Sequence, residues 1–427
     1  MPATLSPILK QATPVEAVSG RGAVLVDVHG REYLDFTAGI GVTSTGHCHP
    51  KVVAAAQEQV ATLIHGQYTT VLHQPLRRLV ARLGEVLPAG LDSVFFVNSG
   101  SEAVEAALRL ARQATGRPNI IAFQGGFHGR TIGAASLTTS GTKFRTGFAP
   151  LMGGVFISAF PAAIRLGMTV EDATDFALRE LDHLLQTVSA PSDTAAFIVE
   201  PVLGEGGYIP APARFLHGLR ERADHHGILL IFDEVQTGAG RTGRFWAQEH
   251  AGVRGDILVT AKGIASGFPL SAMAASTELM AKALPGSQGG TYGANAVACA
   301  AAVATLEVIE EEKLVDNSRT MGQQLLDGLA AVAATRTDRV RDVRGLGLMV
   351  GVELWAEDRR PDPSLTAAVQ RNAIDEGLLL LTCGTGNNVV RFIPPLVVDR
   401  AQIDAGIAAF TRALDRALEH RPAGASS

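Results

Sequence analysis

The chain has 427 residues, of which 46% are hydrophobic and 19% charged, a balance that suits a large globular core and not a disordered chain. A formal net charge of −5 argues against nucleic acid as a partner, because a basic stripe would be expected. Lys and Arg form no block and no apolar run reaches the ~18 residues of a membrane span, so neither a membrane-surface patch nor a spanning segment is expected. Three cysteines without a CxxC pair suit a reducing compartment, and the N-terminus shows no secretion pattern, so a cytoplasmic location is expected.

In chain order, AVLVDVHGREYLDF reads as a hairpin turning at His29-Gly30. SVFFV (93–97), NIIAF (119–123), AAFIVE (195–200), ILLIFDE (228–234) and DILVTA (256–261) read as strands buried on both faces, as in a parallel sheet. Helices are expected between them, at SEAVEAALRLARQAT (101–115) and at ARFLHGLRERADHHG (213–227), the latter stopping on its glycine. Strand and helix in alternation imply right-handed crossovers and an α/β layer fold. An alanine-rich helix begins near Asn295, followed by VRGLGLMVGVEL, LLLLTCG and VVRFIPPL, which read as a smaller α+β domain. The expected division is residues 1–50 joining the small domain, 51–310 as the large domain and 311–427 as the small one. The tail RPAGASS reads as disordered.

Three positions carry chemistry on residue type and place alone. The chain holds 37 basic residues and is sparing with lysine, yet Lys262 sits among small residues where DILVTA ends. A lysine at a strand end usually snorkels to solvent. Desolvated beside open space, its amine instead becomes a nucleophile able to hold an aldehyde as a Schiff base. Asp233 ends ILLIFDE and so lies at the carboxyl edge of the sheet, where α/β folds bind ligands. NSGSEAVEAA (98–107) passes from a strand through Ser-Gly-Ser into a helix, an arrangement that caps the helix and also favours a bound phosphate. An amine, a carboxylate and a phosphate cradle are what pyridoxal phosphate requires.

SGSEA, GGFHGRT, VEPVLGEGGY, FDEVQTGAGRTG, TAKGIASGFPL and GGTYGANAVAC stand in the order of the class III, or omega, aminotransferases. The sequence resembles that family from about residue 20 to the C-terminal region, and within it most resembles 4-aminobutyrate aminotransferases. The resemblance implies pyridoxal phosphate enzymes of fold type I, with a large domain on a mostly parallel sheet and a smaller α+β domain. It implies that Lys262 holds the cofactor and later moves a proton, and that Asp233 pairs with the pyridine nitrogen. Gly100 and Ser101 would hold the phosphate, Phe127 and Val235 would cover the two ring faces, and Gln236 would lie near the phenolic oxygen, with His128 also in the cofactor site. Thr291 would reach the phosphate of a neighbouring subunit, implying a homodimer or a dimer of dimers.

The resemblance also assigns the substrate side. Arg130 would take a distal carboxylate, Arg391 the α-carboxylate of glutamate or 2-oxoglutarate, and Ile40 would line the pocket. Glu205, in GEGGY, would neutralise Arg391 when an ω-amino acid is bound and swing away for glutamate. The expected reaction moves the amino group of an ω-amino acid, 4-aminobutyrate first, to a 2-oxo acid acceptor, 2-oxoglutarate. Acetylornithine, 5-aminovalerate and 6-aminohexanoate are the alternative donors, and a racemase using the same cofactor is the rival reaction. Two motifs are set aside: GAGRTG (238–243) lacks the helix start a dinucleotide site needs, and GLGLMVG (345–351) reads as a packed strand. His47 and His49 lack a third ligand, so no metal is expected.

Overall fold

The computed structural model describes residues 3–419; the expected disorder of RPAGASS lies outside them. β1 (Ala17–Arg21), β2 (Val24–Asp27) and β3 (Glu32–Asp35) form an antiparallel meander. Its second turn falls at His29-Gly30, with Gly30 at φ 79° and the Asp27 carboxylate accepting the His29 and Arg31 amides at 2.8 and 3.0 Å. Then come β4 (Ser93–Val97), β5 (Asn119–Phe123), β6 (Val155–Ser158) and β7 (Thr194–Val199). A two-stranded ladder, β8 (Val202–Leu203) and β9 (Ile209–Pro210), closes the turn at 204–208. β10 (Leu229–Asp233), β11 (Ile257–Thr260) and β12 (Ser271–Ala275) complete a seven-stranded sheet in the order β4-β12-β11-β10-β7-β5-β6.

β12 runs antiparallel to both neighbours, and the other pairs are parallel. Strand alternation sends Ile231 to the face shared with Val97, Ile120 and the helix Gly100–Thr115. Leu230 and Phe232 go to the other face, among Phe123, Phe197 and Phe215. Helices on both faces explain why these strands are apolar throughout. The helix Ala213–His226 stops as expected, on Gly227 at φ 61°. The helix Ala296–Glu311 starts at Asn295, whose side chain accepts the Val297 and Ala298 amides at 3.0 and 3.2 Å. It is buried along almost its whole length, and alanine lets the helices Pro50–Thr62 and Gln74–Val86 pack closely on it.

The C-terminal part holds β13 (Val340–Leu346), β14 (Met349–Leu354), β15 (Leu378–Leu379), β16 (Leu381–Cys383) and β17 (Val389–Phe392). GLGLMVG is not one strand but the bend between β13 and β14, because Gly347 takes φ 53°. LLLLTCG divides likewise. β15 pairs in parallel with β3, and β16 pairs antiparallel with β17, so the N-terminal meander docks against the C-terminal part. Among the described residues no helix is long and apolar enough to cross a membrane.

The β13–β14 bend sets a packing test. A Cβ at Gly322, inside the helix Leu314–Ala334, would sit 2.2 Å from the Gly347 carbonyl. Gly84, in the helix Gln74–Val86, faces open space. Gly322→Ala should destabilise by about 1–3 kcal/mol despite better helix propensity. Gly84→Ala should stabilise by roughly 0.5–1 kcal/mol. Chemical denaturation of the two variants measures both.

Candidate active site

Residues following β4, β5, β7, β10 and β11 converge on one cavity of about 530 Å³ at the carboxyl edge of the sheet. β10 and β11 are neighbours with Asp233 opposite Val259, so Lys262 emerges beside Asp233. Lys262 takes φ 50° at the head of a single helical turn, Lys262–Ala265, an uncommon conformation for a side-chain-bearing residue. The next residue must be glycine, because a Cβ at 263 would lie 2.4 Å from Ser44 Oγ. Burial pushes the Lys262 amine below the ordinary lysine value; the nearby Arg391 adds to this and Glu205 opposes it.

Asp233 Oδ2 lies 2.8 Å from His128 Nδ1, and Oδ1 accepts the Val235 amide at 3.1 Å. Burial disfavours the imidazolium of His128, but the Asp233 carboxylate overrides it, and the histidine is raised overall. Behind the pair stands Glu200, to which the sequence reading gave no role. Its carboxylate accepts the Phe127 amide at 2.8 Å and the Gly204 amide at 2.9 Å. Burial raises it to about 7, while His128 pulls it down and Asp233 pushes it up. The available signal was its place at the end of AAFIVE, as an acidic residue closing an apolar run like the Asp233-Glu234 pair that closes ILLIFDE.

At the end of β4, Ser99 caps the helix Gly100–Thr115 and exchanges bonds with Glu102 in a capping box. A Cβ at Gly100 would sit 2.9 Å from Val235 Cγ1, so close packing demands glycine here. Ser101 Oγ accepts the Arg130 amide at 3.1 Å, which leaves its own hydrogen available to an anion. Gln236 is buried with its side-chain oxygen unpartnered. Phe127 and Val235 both line the cavity, as do Gly100, Ser101 and Gln236.

Arg391 comes from β17 and Glu205 from the β8–β9 turn, 186 residues apart in sequence, and they form an ion pair in the cavity wall. Arg391 is 4% exposed. Burial acts to lower its basicity, but the Glu205 carboxylate together with Tyr208 and Cys383 more than offsets this and raises it. Arg130 also lines the cavity, is exposed, and forms no ion pair among the described residues; its guanidinium lies over the Phe144 ring, 5.0 Å from the centroid. Ile40 lines the mouth at φ 69°, inside a turn where residues 38–41 all have positive φ. The Asp35 carboxylate anchors that turn through the Thr37 and Ala38 amides.

Thr291 is the one expected site residue outside this cavity: it is exposed, next to Tyr292 at 65% exposure. His47 bonds Asp35 at 2.8 Å and His49 bonds Glu312 at 2.9 Å, so the two histidines serve separate pairs. GAGRTG forms a run of turns after β10, and its Arg241 is buried against the Leu348 and Pro394 carbonyls.

The depressed amine can be tested without any cofactor. In competitive labelling of the cofactor-free protein with an amine-reactive reagent, Lys262 should reach half-maximal reactivity at a lower pH than Lys51. The latter is raised by Glu307 and Glu311. The same pH for both would remove burial of Lys262 as the cause of its nucleophilicity.

The sequence matches the family described as aminotransferase class-III over residues 8–414. A 5-aminovalerate aminotransferase from Pseudomonas putida is 42% identical over 400 residues, covering 93% of each chain. A 4-aminobutyrate aminotransferase from Escherichia coli is 40% identical over 412 residues, 96% of this chain and 95% of its own. Among solved structures, an aminotransferase from Bacillus anthracis shows a TM-score of 0.89 at 30% identity, covering 97% of this chain and 96% of that one. With a match that spans every strand lining the cavity, the chain belongs to the class III aminotransferases and is an amino-group-transferring enzyme.

Proposed function

We propose that the protein uses pyridoxal 5′-phosphate to move the amino group of an ω-amino acid to 2-oxoglutarate, giving a semialdehyde and glutamate in two alternating half-reactions. 4-Aminobutyrate is the proposed donor, with 5-aminovalerate its one-methylene-longer rival. The observation that carries this reading is the ion pair of the buried Arg391 with Glu205, facing the same cavity as Arg130, which has no ion pair among the described residues.

The residues present fit the cofactor. Gln236 has an orphaned buried amide oxygen, an atom that can exchange places with its nitrogen to meet a phenolate. The helix start at Gly100 and Ser101 offers amides and a free hydroxyl hydrogen to a phosphate. When bound, pyridoxal phosphate supplies the electron sink that lets a proton leave the carbon bearing the amino group. Asp233 would hold negative charge at the pyridine nitrogen, with His128 sharing its other side. Phe127 and Val235 would cover the ring faces. Lys262 would anchor the aldehyde, then take and return the proton at the substrate carbon, a role that suits an amine depressed by burial.

Two substrates must share one site. Glutamate and 2-oxoglutarate carry two carboxylates, and planar guanidinium forks at Arg391 and Arg130 suit both. An ω-amino acid has no carboxylate at its reacting carbon, and a buried Arg391 left alone would cost about 3–5 kcal/mol. Glu205 neutralises it in place. The proposed assembly is a homodimer, with Thr291 reaching the neighbouring site. The exposed Tyr292, Leu284, Leu72 and Ile64 are apolar surface that such an interface would cover.

Single-turnover kcat/KM for each half-reaction tests the assignment. Glu205→Gln should cost the ω-amino acid half-reaction roughly a hundredfold or more, and the glutamate half-reaction much less. Arg391→Ala should show the opposite bias, and Arg130→Ala should weaken both. Equal losses in the two half-reactions for Glu205→Gln would remove the switch. Run with both donors, the same assay should separate 4-aminobutyrate from 5-aminovalerate by about 10–200-fold, the worth of one methylene in a shaped pocket.

A further inference from the structure

Phe144 lies outside the cavity wall, at the end of a short turn, Thr142–Phe144, and is only 7% exposed. Two cavity-lining side chains meet on it. The Arg130 guanidinium sits 5.0 Å from its ring centroid, and the Phe127 ring meets it edge to face at 5.0 Å and 71°. Lys143 Nζ also lies 4.9 Å from the same centroid. Neither the sequence motifs nor the proposed chemistry gives Phe144 a part.

We propose that Phe144 is a positioning residue that sets the substrate's distal-carboxylate clamp, by stacking Arg130 and bracing Phe127 on one ring. The proposal rests on the reading of Arg130 as that clamp. A guanidinium attracted to an aromatic ring uses its face, and its in-plane N–H fork stays free for a carboxylate. Arg130 has no ion pair among the described residues to hold it, so without the ring its long side chain would have to be ordered by each substrate molecule that binds. Phe127 rests on the same ring, so Phe144 fixes the span between the ring-covering side chain and the carboxylate-binding one. That span selects the length of the donor.

The test uses the holoenzyme, with Phe144→Leu, Phe144→Tyr and Arg130→Ala beside the parent. Three quantities are read: KM and kcat with 4-aminobutyrate, the calorimetric Kd for pentanoate, and the cofactor absorption spectrum together with Tm. Pentanoate has the carboxylate but no amine. Phe144→Leu should raise KM and the pentanoate Kd roughly five- to tenfold, with kcat within about twofold. Phe144→Tyr keeps the aromatic face and should restore both. A fall in kcat at unchanged KM, an unchanged pentanoate Kd, or failure of Tyr to rescue would each overturn the proposal. If Arg130→Ala weakens pentanoate and Phe144→Leu does not, only the role of Phe144 falls. If Arg130→Ala leaves pentanoate binding unchanged, the clamp reading itself falls.

Discussion

A guanidinium buried to 4% exposure is costly beside an open cavity without a counter-charge, and Arg391 has one in the Glu205 carboxylate. Arg391 is fixed in β17 with β14 on one side and β16 on the other. The turn that brings Glu205 to it is held from two directions. From the large sheet, Glu200 accepts the Gly204 amide; from the C-terminal sheet, the Gly384 amide donates to the Glu205 carbonyl at 2.9 Å and Arg344 donates to the Gly207 carbonyl. Gly351, opposite Arg391 in β14, packs tightly, since a Cβ there would lie 3.0 Å from Val389 Cγ1 and 3.1 Å from Tyr208 Cβ. The backbone of the turn is therefore locked while the Glu205 side chain stays partly exposed in the cavity. A carboxylate held on a fixed backbone at the cavity wall is what the proposed switch between two substrate classes needs.

The same turn connects to the Asp233–His128 side of the cavity through Glu200. One carboxylate bonds the amide of Phe127 and the amide next to Glu205, with His128 and Asp233 close enough to perturb it. Such a network in a low-dielectric interior stiffens what it touches. The loop carrying Phe127 and the turn carrying Glu205 thus share one support, and Phe144 adds a second link from Phe127 to Arg130.

Much of this was legible in the sequence, for identifiable reasons. The strands around Asp233 and Lys262 are apolar on both faces and end abruptly, so periodicity and position alone place their last residues on one sheet edge. β12 and β6 escaped because SAMAA is alanine-rich, with weak strand preference, and VFIS is only four residues long. The bend at Gly347 escaped because a glycine inside an apolar run reads equally as close packing or as a turn. Glu200 and Phe144 escaped for a different cause: their roles are made by contacts across 73, 14 and 17 residues of chain, which no local pattern records. Glu205 and Arg391, farther apart still, were found only because long motifs resembled a family in which that pair is defined.

The most direct measurement is a pair of crystal structures of the holoenzyme, one with 2-oxoglutarate and one with pentanoate. The dicarboxylate should bring its α-carboxylate to Arg391 and displace Glu205 from it. Pentanoate should leave the Arg391–Glu205 pair intact while its carboxylate meets Arg130. An unbroken pair beneath bound 2-oxoglutarate would contradict the switch, and with it the assignment of one site to both substrates.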